Sequence, residues 1–123
     1  MRLLLDTHTF LWWDDGSLAK AVCRRIERAD DVFVSAATAW EISIKAALGK
    51  ISARGSVRRA IDDYGFSELV VTMEHAEEVR LLPLHHRDPF DRLIVAQARL
   101  EKLTVVSKDP ILPAYGVPVL WGS

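Results

Sequence analysis

Short apolar runs alternate with longer segments of helical periodicity along this chain, and this alternation is the strongest constraint on its fold. Strands are predicted at residues 2–5, 32–34, 69–72, 104–107 and 117–121. Helices are predicted between them, at residues 7–13, 18–29, 36–48, 55–64, 74–82 and 89–102. Ser17 is a plausible cap of the second of these helices, and Trp40 is predicted on the apolar stripe of the third, with Ile44, Ala47 and Leu48. Strands separated by helices at this spacing pair in parallel. The predicted fold class is therefore α/β, a three-layer sandwich with a central, mostly parallel sheet flanked by helices.

The size and composition of the chain predict one globular domain spanning residues 1–123. Half of the residues are hydrophobic and 27% are charged, with a net charge of −1, so bulk charge does not favour nonspecific binding of nucleic acid, although a local basic patch remains compatible. No apolar run approaches the roughly 20 residues that a membrane span requires, and no signal-peptide pattern is present. A single cysteine, Cys23, forms no internal disulfide, which favours a cytoplasmic protein.

The segment from Arg87 to Ala98 predicts a helix whose start is unusually rich in acid. Asp88 is a suitable N-cap, since its carboxylate can accept hydrogen bonds from the first turn. Pro89 suits the first helical position, where its missing N–H has no cost. Asp91 then falls in the first turn, at the border between the apolar and polar faces. Because Asp88 alone is sufficient to cap the helix, Asp91 requires another explanation. A carboxylate at this position is well placed to hold a cation in a cleft.

Four acids occupy comparable places relative to the predicted strands. Asp6 directly follows the first strand, Glu41 lies early in the helix after the second, and Asp109 comes just after the fourth. The carboxyl ends of parallel strands meet at one edge of a sheet, where ligands of α/β proteins bind. We therefore expect these three acids at that edge, with Asp91 brought to them by the packing of its helix.

A cluster of carboxylates requires compensation, because like charges a few ångströms apart disfavour each other. Either some of the acids are protonated or a cation neutralises them. Ligand sets made only of oxygen suit Mg²⁺ or Mn²⁺. Such ions activate water for attack on a phosphodiester and stabilise the leaving oxygen. The sequence thus predicts a site for Mg²⁺ or Mn²⁺.

Four motifs, in this order and spacing, resemble the PIN-domain ribonucleases and especially the VapC-like toxins of type II toxin–antitoxin pairs. They are LLLDTH at 3–8, Trp40-Glu41, DPFDRLIVAQA at 88–98 and VVSKD at 105–109. The resemblance covers essentially the whole chain. It implies a PIN-like fold, a Mg²⁺- or Mn²⁺-dependent endoribonuclease, a VapB-like antitoxin that holds it inactive, and a homodimer. His8 departs from the family, which often has Asn or Ser at this position.

Carried over by position, the family's catalytic acids fall on Asp6, Glu41, Asp91 and Asp109. Asp6 and Asp91 are predicted to be the principal metal ligands, and Asp109 a third ligand or a ligand of a second metal. Glu41 either ligates directly or orients the attacking water. Asp91 is preferred over Asp88 because the family's acid precedes an Ile/Ala-rich helical run by two residues.

Three neighbouring residues are expected to support these acids from outside the ligand set. Thr7 and Ser107 are predicted to hydrogen-bond to the carboxylates, as metal sites commonly require; the alternative is that they cap strand ends. Asp88 is predicted to act mainly as a helix cap, and a share in the role of Asp91 stays open.

Basic residues next to the acids are candidates for binding RNA, since phosphate contacts dominate affinity for nucleic acids. The candidates are Arg87, Arg92 and Lys108. More scattered arginines are interpreted as a solvated surface; they are Arg54, Arg58 and Arg59.

Other polar residues near the motifs have ordinary explanations. Lys45, one turn after Glu41, predicts a helix ion pair of about 0.3–0.5 kcal/mol. His85 and His86 are interpreted as a solvated loop before the capped helix. Cys23 lies on an apolar stripe, so it is expected to pack in the core, and no nucleophile pair points to a covalent intermediate.

Three alternative functions stay open. A non-catalytic PIN-fold binding module would be expected to have lost some of the acids, which are all present. A dehalogenase-like phosphohydrolase would share Asp6 and Thr9, but His8 stands where its second Asp belongs and no cap domain fits. A receiver domain would place an Asp after the third strand, and residues 72–74 supply none.

Overall fold

The computed structural model describes residues 1–52 and 55–121, and within these ranges the chain forms a five-stranded sheet in which every strand is parallel to its neighbours. The sheet order is β3-β2-β1-β4-β5. The strands are β1 (Arg2–Leu5), β2 (Asp31–Ser35), β3 (Ser67–Leu69), β4 (Thr104–Ser107) and β5 (Val119–Trp121). The helices are α1 (Thr7–Asp15), α2 (Lys20–Arg28), α3 (Ala36–Ala47), α4 (Val57–Tyr64), α5 (Met73–Glu78) and α6 (Pro89–Glu101). The predicted α/β class is confirmed. Arg54, which the sequence assigns to a solvated surface, lies outside the described residues.

The central strand β1 is apolar throughout its buried part because both faces of the sheet are covered. Leu3 and Leu5 pack on one face with Phe10 of α1. Leu4 points to the other face, where it packs with Ile94 of α6. Helices cover both faces of the sheet, which gives the three layers that the sequence predicts. Their packing holds the ends of the strands in place.

Helices start directly at the carboxyl edge of the sheet. Asp6 follows β1, and its backbone N–H donates to Val106 of β4 at 3.2 Å, while its side chain caps α1. Ser35 ends β2 and caps α3 by accepting from the N–H of Ala37. Because the strands end and the helices begin within one or two residues, the first turns of α1 and α3 border the same edge.

Strand β3 begins two residues earlier than predicted, and the helix after it is shorter. The side chain of Thr72, predicted to end the strand, instead accepts from the N–H of His75 and caps α5. The imidazole of His75 accepts from the N–H of Thr72 in return, at 3.0 Å. The predicted helix to Leu82 is divided into α5 and a 3₁₀ turn over Val79–Leu81. The last strand likewise starts at Val119 rather than Val117, after a proline that lacks an N–H for the sheet.

Two further local predictions are wrong. Ser17 does not cap α2; its N–H and hydroxyl donate to Asp15 instead, and the helix begins at Lys20 without a side-chain cap. Trp40, predicted on the buried stripe of α3, is 61% exposed. The face of α3 that turns inward carries Glu41, which can be buried because other polar side chains satisfy it.

Within the described ranges, no helix combines the length and apolar character needed to cross a membrane.

We predict that Leu4→Ala lowers the free energy of unfolding by about 2–5 kcal/mol, because Leu4 is fully buried and the truncation leaves a cavity in the central strand. Denaturant unfolding of the purified protein measures this change. The matched control is Leu84→Ala, since Leu84 is 78% exposed and surface substitutions usually stay within about 0.5 kcal/mol. Equal effects of the two substitutions would contradict the assignment of the core.

Candidate metal centre

Asp6 lies at the junction of β1 and α1, where it is buried and aimed at the carboxyl edge of the sheet. Its Oδ1 atom accepts a hydrogen bond from the N–H of Thr9 at 2.9 Å. This bond caps α1 and holds the carboxylate at the end of the central strand.

Glu41 is 2% exposed and has a polar partner on each carboxylate oxygen. The Thr7 hydroxyl donates to Oε1 at 2.6 Å, and Lys45 Nζ donates to Oε2 at 2.6 Å. The bond to Glu41 raises the pKa of Lys45, and the charges of Asp88 and Asp91 add to this. Thr7 thus contacts a carboxylate of the site, and Lys45 remains a cation beside it.

Asp91 and Asp109 approach each other across a histidine. His86 Nε2 lies 2.8 Å from Asp109 Oδ2 and 3.2 Å from Asp91 Oδ2. The other oxygen of Asp109 accepts from the N–H of Ile111 at 2.9 Å. The packing of α6 against the sheet has therefore brought Asp91 to an acid that follows β4, although the two are 18 positions apart in the sequence.

Ser107 does not bond to the carboxylate as predicted. Its hydroxyl oxygen accepts from the backbone N–H of Asp109 at 3.0 Å. This is the strand-end turn that the sequence left as the alternative, and it orients the backbone that carries Asp109.

Asp88 forms the N-cap of α6. Its Oδ1 atom accepts from the N–H groups of Phe90, at 2.8 Å, and Asp91, at 3.2 Å. With one oxygen used on the helix start, its charge still acts on the neighbouring acid.

The environment of the cluster disfavours the charged form of Asp91, whose pKa is raised to about 7. Burial is the largest cause, followed by the negative charge of Asp88, while His86 opposes the shift and Asp6 and Glu41 add to it. The cluster thus holds more negative charge than its own side chains neutralise. An all-carboxylate donor set with excess negative charge fits a hard divalent cation such as Mg²⁺ or Mn²⁺.

Of the predicted RNA-binding residues, Arg92 is largely used inside the protein, which corrects that prediction. Its guanidinium donates to the carbonyls of Val79, Leu82 and Pro83 and to the Tyr115 hydroxyl, at 2.9–3.4 Å. Four of the five N–H donors of an arginine are thereby engaged. Arg92 holds the segment before α6 in place, and phosphate binding is not the role its contacts support.

Arg87 and Lys108 are exposed and stand next to Asp88 and Asp109 in the chain. Their positions leave them free of the core, so they stay candidates for contacting a phosphate backbone. Arg58 is also exposed and pairs with Asp62 one turn later, as expected of a solvated surface.

His86 is the site residue that sequence reasoning missed. The interpretation of His85 and His86 as a solvated loop holds for His85, which is exposed, but is wrong for His86, which is partly buried between two acids. The sequence signal that could have identified His86 is its position two residues before Asp88, the N-cap of α6. The backbone N–H of a cap residue has no partner within the helix, so a preceding side chain can accept a hydrogen bond from it.

A mainly apolar groove of about 910 Å³ lies beside α1. It is lined by His8 and Trp12 from α1, Ile42 from α3, and Val57 and Tyr64 from α4, and charged side chains, Asp14, Asp15, Arg59 and Asp63, also line it. His8 is two residues after Asp6, so the groove opens close to the acidic edge.

A parallel α/β sheet with four acids at its carboxyl edge defines a protein with a candidate divalent-metal centre. The PIN domain family matches residues 3–117, and the chain belongs to this family. The resemblance seen in the sequence motifs is thereby confirmed at the level of the family.

Solved structures share the fold at low sequence identity. FitAcB from Neisseria gonorrhoeae is 20% identical with a TM-score of 0.70, and the match covers 96% of each chain. VapBC2 from Rickettsia felis, solved with a DNA fragment from its promoter, is 11% identical with a TM-score of 0.73 over 98% of each chain. A toxin–antitoxin complex from Klebsiella pneumoniae is 20% identical with a TM-score of 0.65, over 96% of this chain and 95% of that one. Among curated proteins, no sequence matches significantly.

We predict that Asp91 lowers the stability of the metal-free protein as pH rises from about 4 to about 7. The folded carboxyl keeps its proton to about pH 7, whereas the ordinary value is 3.8, so the folded state binds more protons in this interval and loses stability through it. Asp91→Asn removes this dependence and stabilises the protein at pH 8, by roughly 2 kcal/mol after discounting for partial exposure.

Unfolding of chelator-treated protein across this pH range, with Glu27→Gln as an exposed control, measures the effect. A stability difference between wild type and Asp91→Asn that stays constant with pH would contradict the raised pKa.

Proposed function

We propose that the chain is a Mg²⁺- or Mn²⁺-dependent endoribonuclease that hydrolyses RNA phosphodiesters. The observation that carries the proposal is the placement of four acids at one edge of the sheet, where burial and the negative charges of neighbouring acids raise the pKa of Asp91 to about 7. PIN domains are generally nucleases, and the chain belongs to that family. An acidic pocket repels a nucleic-acid backbone unless cations are bound, so the same acids that bind the metal make the site competent for RNA.

In this proposal Asp6, Asp91 and Asp109 would hold the cation, and Glu41 would orient the attacking water. A divalent cation bound there would supply an activated water and stabilise charge on the phosphate. Asp91 would bind the cation as a carboxylate, with its proton released to solvent. Glu41 keeps its orientation through the Thr7 hydroxyl and the Lys45 ammonium, both at 2.6 Å.

Lys45 and two exposed basic residues provide the positive charge that RNA requires near the acids. Lys45 stays protonated because its pKa is raised, and its Nζ, which bonds to Glu41, is proposed to contact a phosphate oxygen as well. Arg87 and Lys108 are proposed to contact the flanking phosphates. Direct attack by water is the proposed route, because Cys23 offers no nucleophile at the site. Cys23 lies in α2 and packs against the core, with its thiol 3.6 Å from the Leu18 carbonyl.

We further propose that the chain is the toxin of a type II toxin–antitoxin pair, acting as a homodimer in the cytoplasm and held inactive by a VapB-like antitoxin. The similar solved structures include toxin–antitoxin complexes. The apolar groove beside α1 offers an antitoxin segment a surface close to the acids. A partner seated there would lie next to His8, two residues from Asp6.

Cleavage of a mixed cellular RNA by purified protein with Mg²⁺, Mn²⁺ or EDTA tests the activity. We expect cleavage only with metal, and a loss of at least about 100-fold in Asp6→Asn, because supporting residues alone typically cost 10–100-fold. If the folded wild type binds metal yet cleaves no RNA, the protein is a binding module instead. Cleavage that persists in EDTA would contradict the metal-dependent route.

Asp88→Asn is predicted to retain activity within a few-fold of wild type, whereas Asp91→Asn loses it. Asn caps a helix about as well as Asp, and the cap bonds of Asp88 use a single oxygen. Each variant replaces one carboxylate by an amide, and the two positions are three residues apart, so each variant is the matched control of the other. Equal losses would show that Asp88 shares the role of Asp91.

A further inference from the structure

His86 supplies a nitrogen atom that could bind a metal within the acidic cluster, so it must be considered as a metal ligand. Potential ligand atoms of His86, Asp91 and Asp109 all lie within 4.8 Å of one another. If Nε2 bound the cation, the centre would be a mixed nitrogen–oxygen site, and imidazole ligands favour metals such as Zn²⁺, Cu or Ni. The hydrogen bonds of the ring decide between this reading and another.

The other ring nitrogen of His86 fixes where the proton is. Nδ1 lies 3.0 Å from the backbone N–H of Asp88, which donates to it. A backbone amide carries its hydrogen permanently, so Nδ1 must present a lone pair and the proton of the neutral ring is on Nε2. Nε2–H is therefore a donor, and it points at Asp109 Oδ2, 2.8 Å away.

Metal ligation by Nε2 conflicts with this arrangement. A neutral ring that coordinates through Nε2 carries its proton on Nδ1. That proton would face the N–H of Asp88, with two donors opposed and no acceptor between them. The same backbone group that starts α6 thus keeps His86 out of the ligand set.

The ring has little freedom to escape this position. The backbone N–H of His86 donates to the buried Tyr115 hydroxyl at 2.8 Å. The Arg92 guanidinium donates to the same oxygen at 3.2 Å, and also to the carbonyls of Leu82 and Pro83 just upstream. The main chain of His86 is therefore held from outside the acid cluster, while its ring is held by the backbone N–H of Asp88.

We propose that His86 is a positioning residue that holds the Asp109 carboxylate beside Asp91 by donating Nε2–H, and that it keeps the centre an all-oxygen site for Mg²⁺ or Mn²⁺. This inference rests on the proposed metal-dependent function. The donor occupies one oxygen of Asp109 and brings the two carboxylates together despite their like charge. Supporting hydrogen bonds of this kind orient ligands and raise metal affinity.

Calorimetric titration of the full chain with Mn²⁺ tests the proposal with three variants. His86→Ala is expected to weaken Mn²⁺ binding by about 10–100-fold. His86→Gln keeps an N–H donor at similar reach and should stay within a few-fold of wild type. His85→Ala is the matched control, since His85 is the exposed neighbour whose ring packs on Tyr115, and should bind as wild type does.

Pulsed electron paramagnetic resonance of the Mn²⁺-loaded wild type supplies a readout that a structural role alone would not move. We expect no coupling from a directly bound histidine nitrogen. Such a coupling would overturn the proposal by making His86 a ligand. Unchanged binding in His86→Ala, or equal losses in the Gln and Ala variants of folded protein, would also overturn it.

The outcomes separate this proposal from the proposed function. Binding of Mn²⁺ that depends on His86 in a protein that cleaves no RNA would reject the nuclease and keep the positioning role. Metal-dependent cleavage that is unaffected by substitution of His86 would keep the proposed nuclease function and reject the positioning role. Failure of folded wild type to bind Mn²⁺ would reject both.

Discussion

Repulsion between carboxylates at one edge of a buried sheet is the constraint that the rest of the structure must satisfy. Each acid meets it differently. Asp6 and Asp88 sit at helix starts, where backbone N–H groups stabilise their charge. Glu41 is neutralised by Lys45 and bonded by Thr7. Asp91 is partly buried, and its burial, followed by the charge of Asp88, raises its pKa to about 7.

The burial of Asp91 beside other acids is tolerated because the scaffold around it is rigid. Strand β1 is buried on both faces, and two separate apolar clusters pack helices against each side of the sheet. The segment before α6 is fixed by the guanidinium of Arg92. A site held this firmly cannot relieve repulsion by moving apart, so proton uptake or a cation must relieve it. This links the fold to the proposed binding of metal.

The architecture was predictable where local pattern and burial agree. Strands β1 and β4 were predicted at their observed bounds, because continuous apolar runs between helices leave few alternatives. The positions of Asp6, Glu41 and Asp109 after the carboxyl ends of β1, β2 and β4 followed from topology alone. The bounds of β3 were not predictable, because Thr72 has equal local reason to extend a strand or cap a helix, and contact with His75 decides it.

The parts of the site that sequence could not predict depend on contacts between distant segments. The role of His86 needs Asp109, 23 positions away, to lie beside it. Arg92 looked like a phosphate ligand because nothing local shows that carbonyls of residues 79–83 converge on it. Trp40 was placed in the core by its hydrophobicity, yet the inward face of α3 carries Glu41 beside Ile42, and Glu41 can be buried there because Thr7 and Lys45 bond to it.

A crystal structure of the protein soaked in Mn²⁺, with anomalous diffraction used to locate the ion, tests the central claim most directly. We predict an anomalous peak within ligand distance of Asp6, Asp91 and Asp109, with His86 still bonded to Asp109 and outside the coordination sphere. An ion bound by His86 Nε2, or no ion at these acids in protein that binds Mn²⁺ in solution, would contradict the claim that these carboxylates form one oxygen-only metal centre.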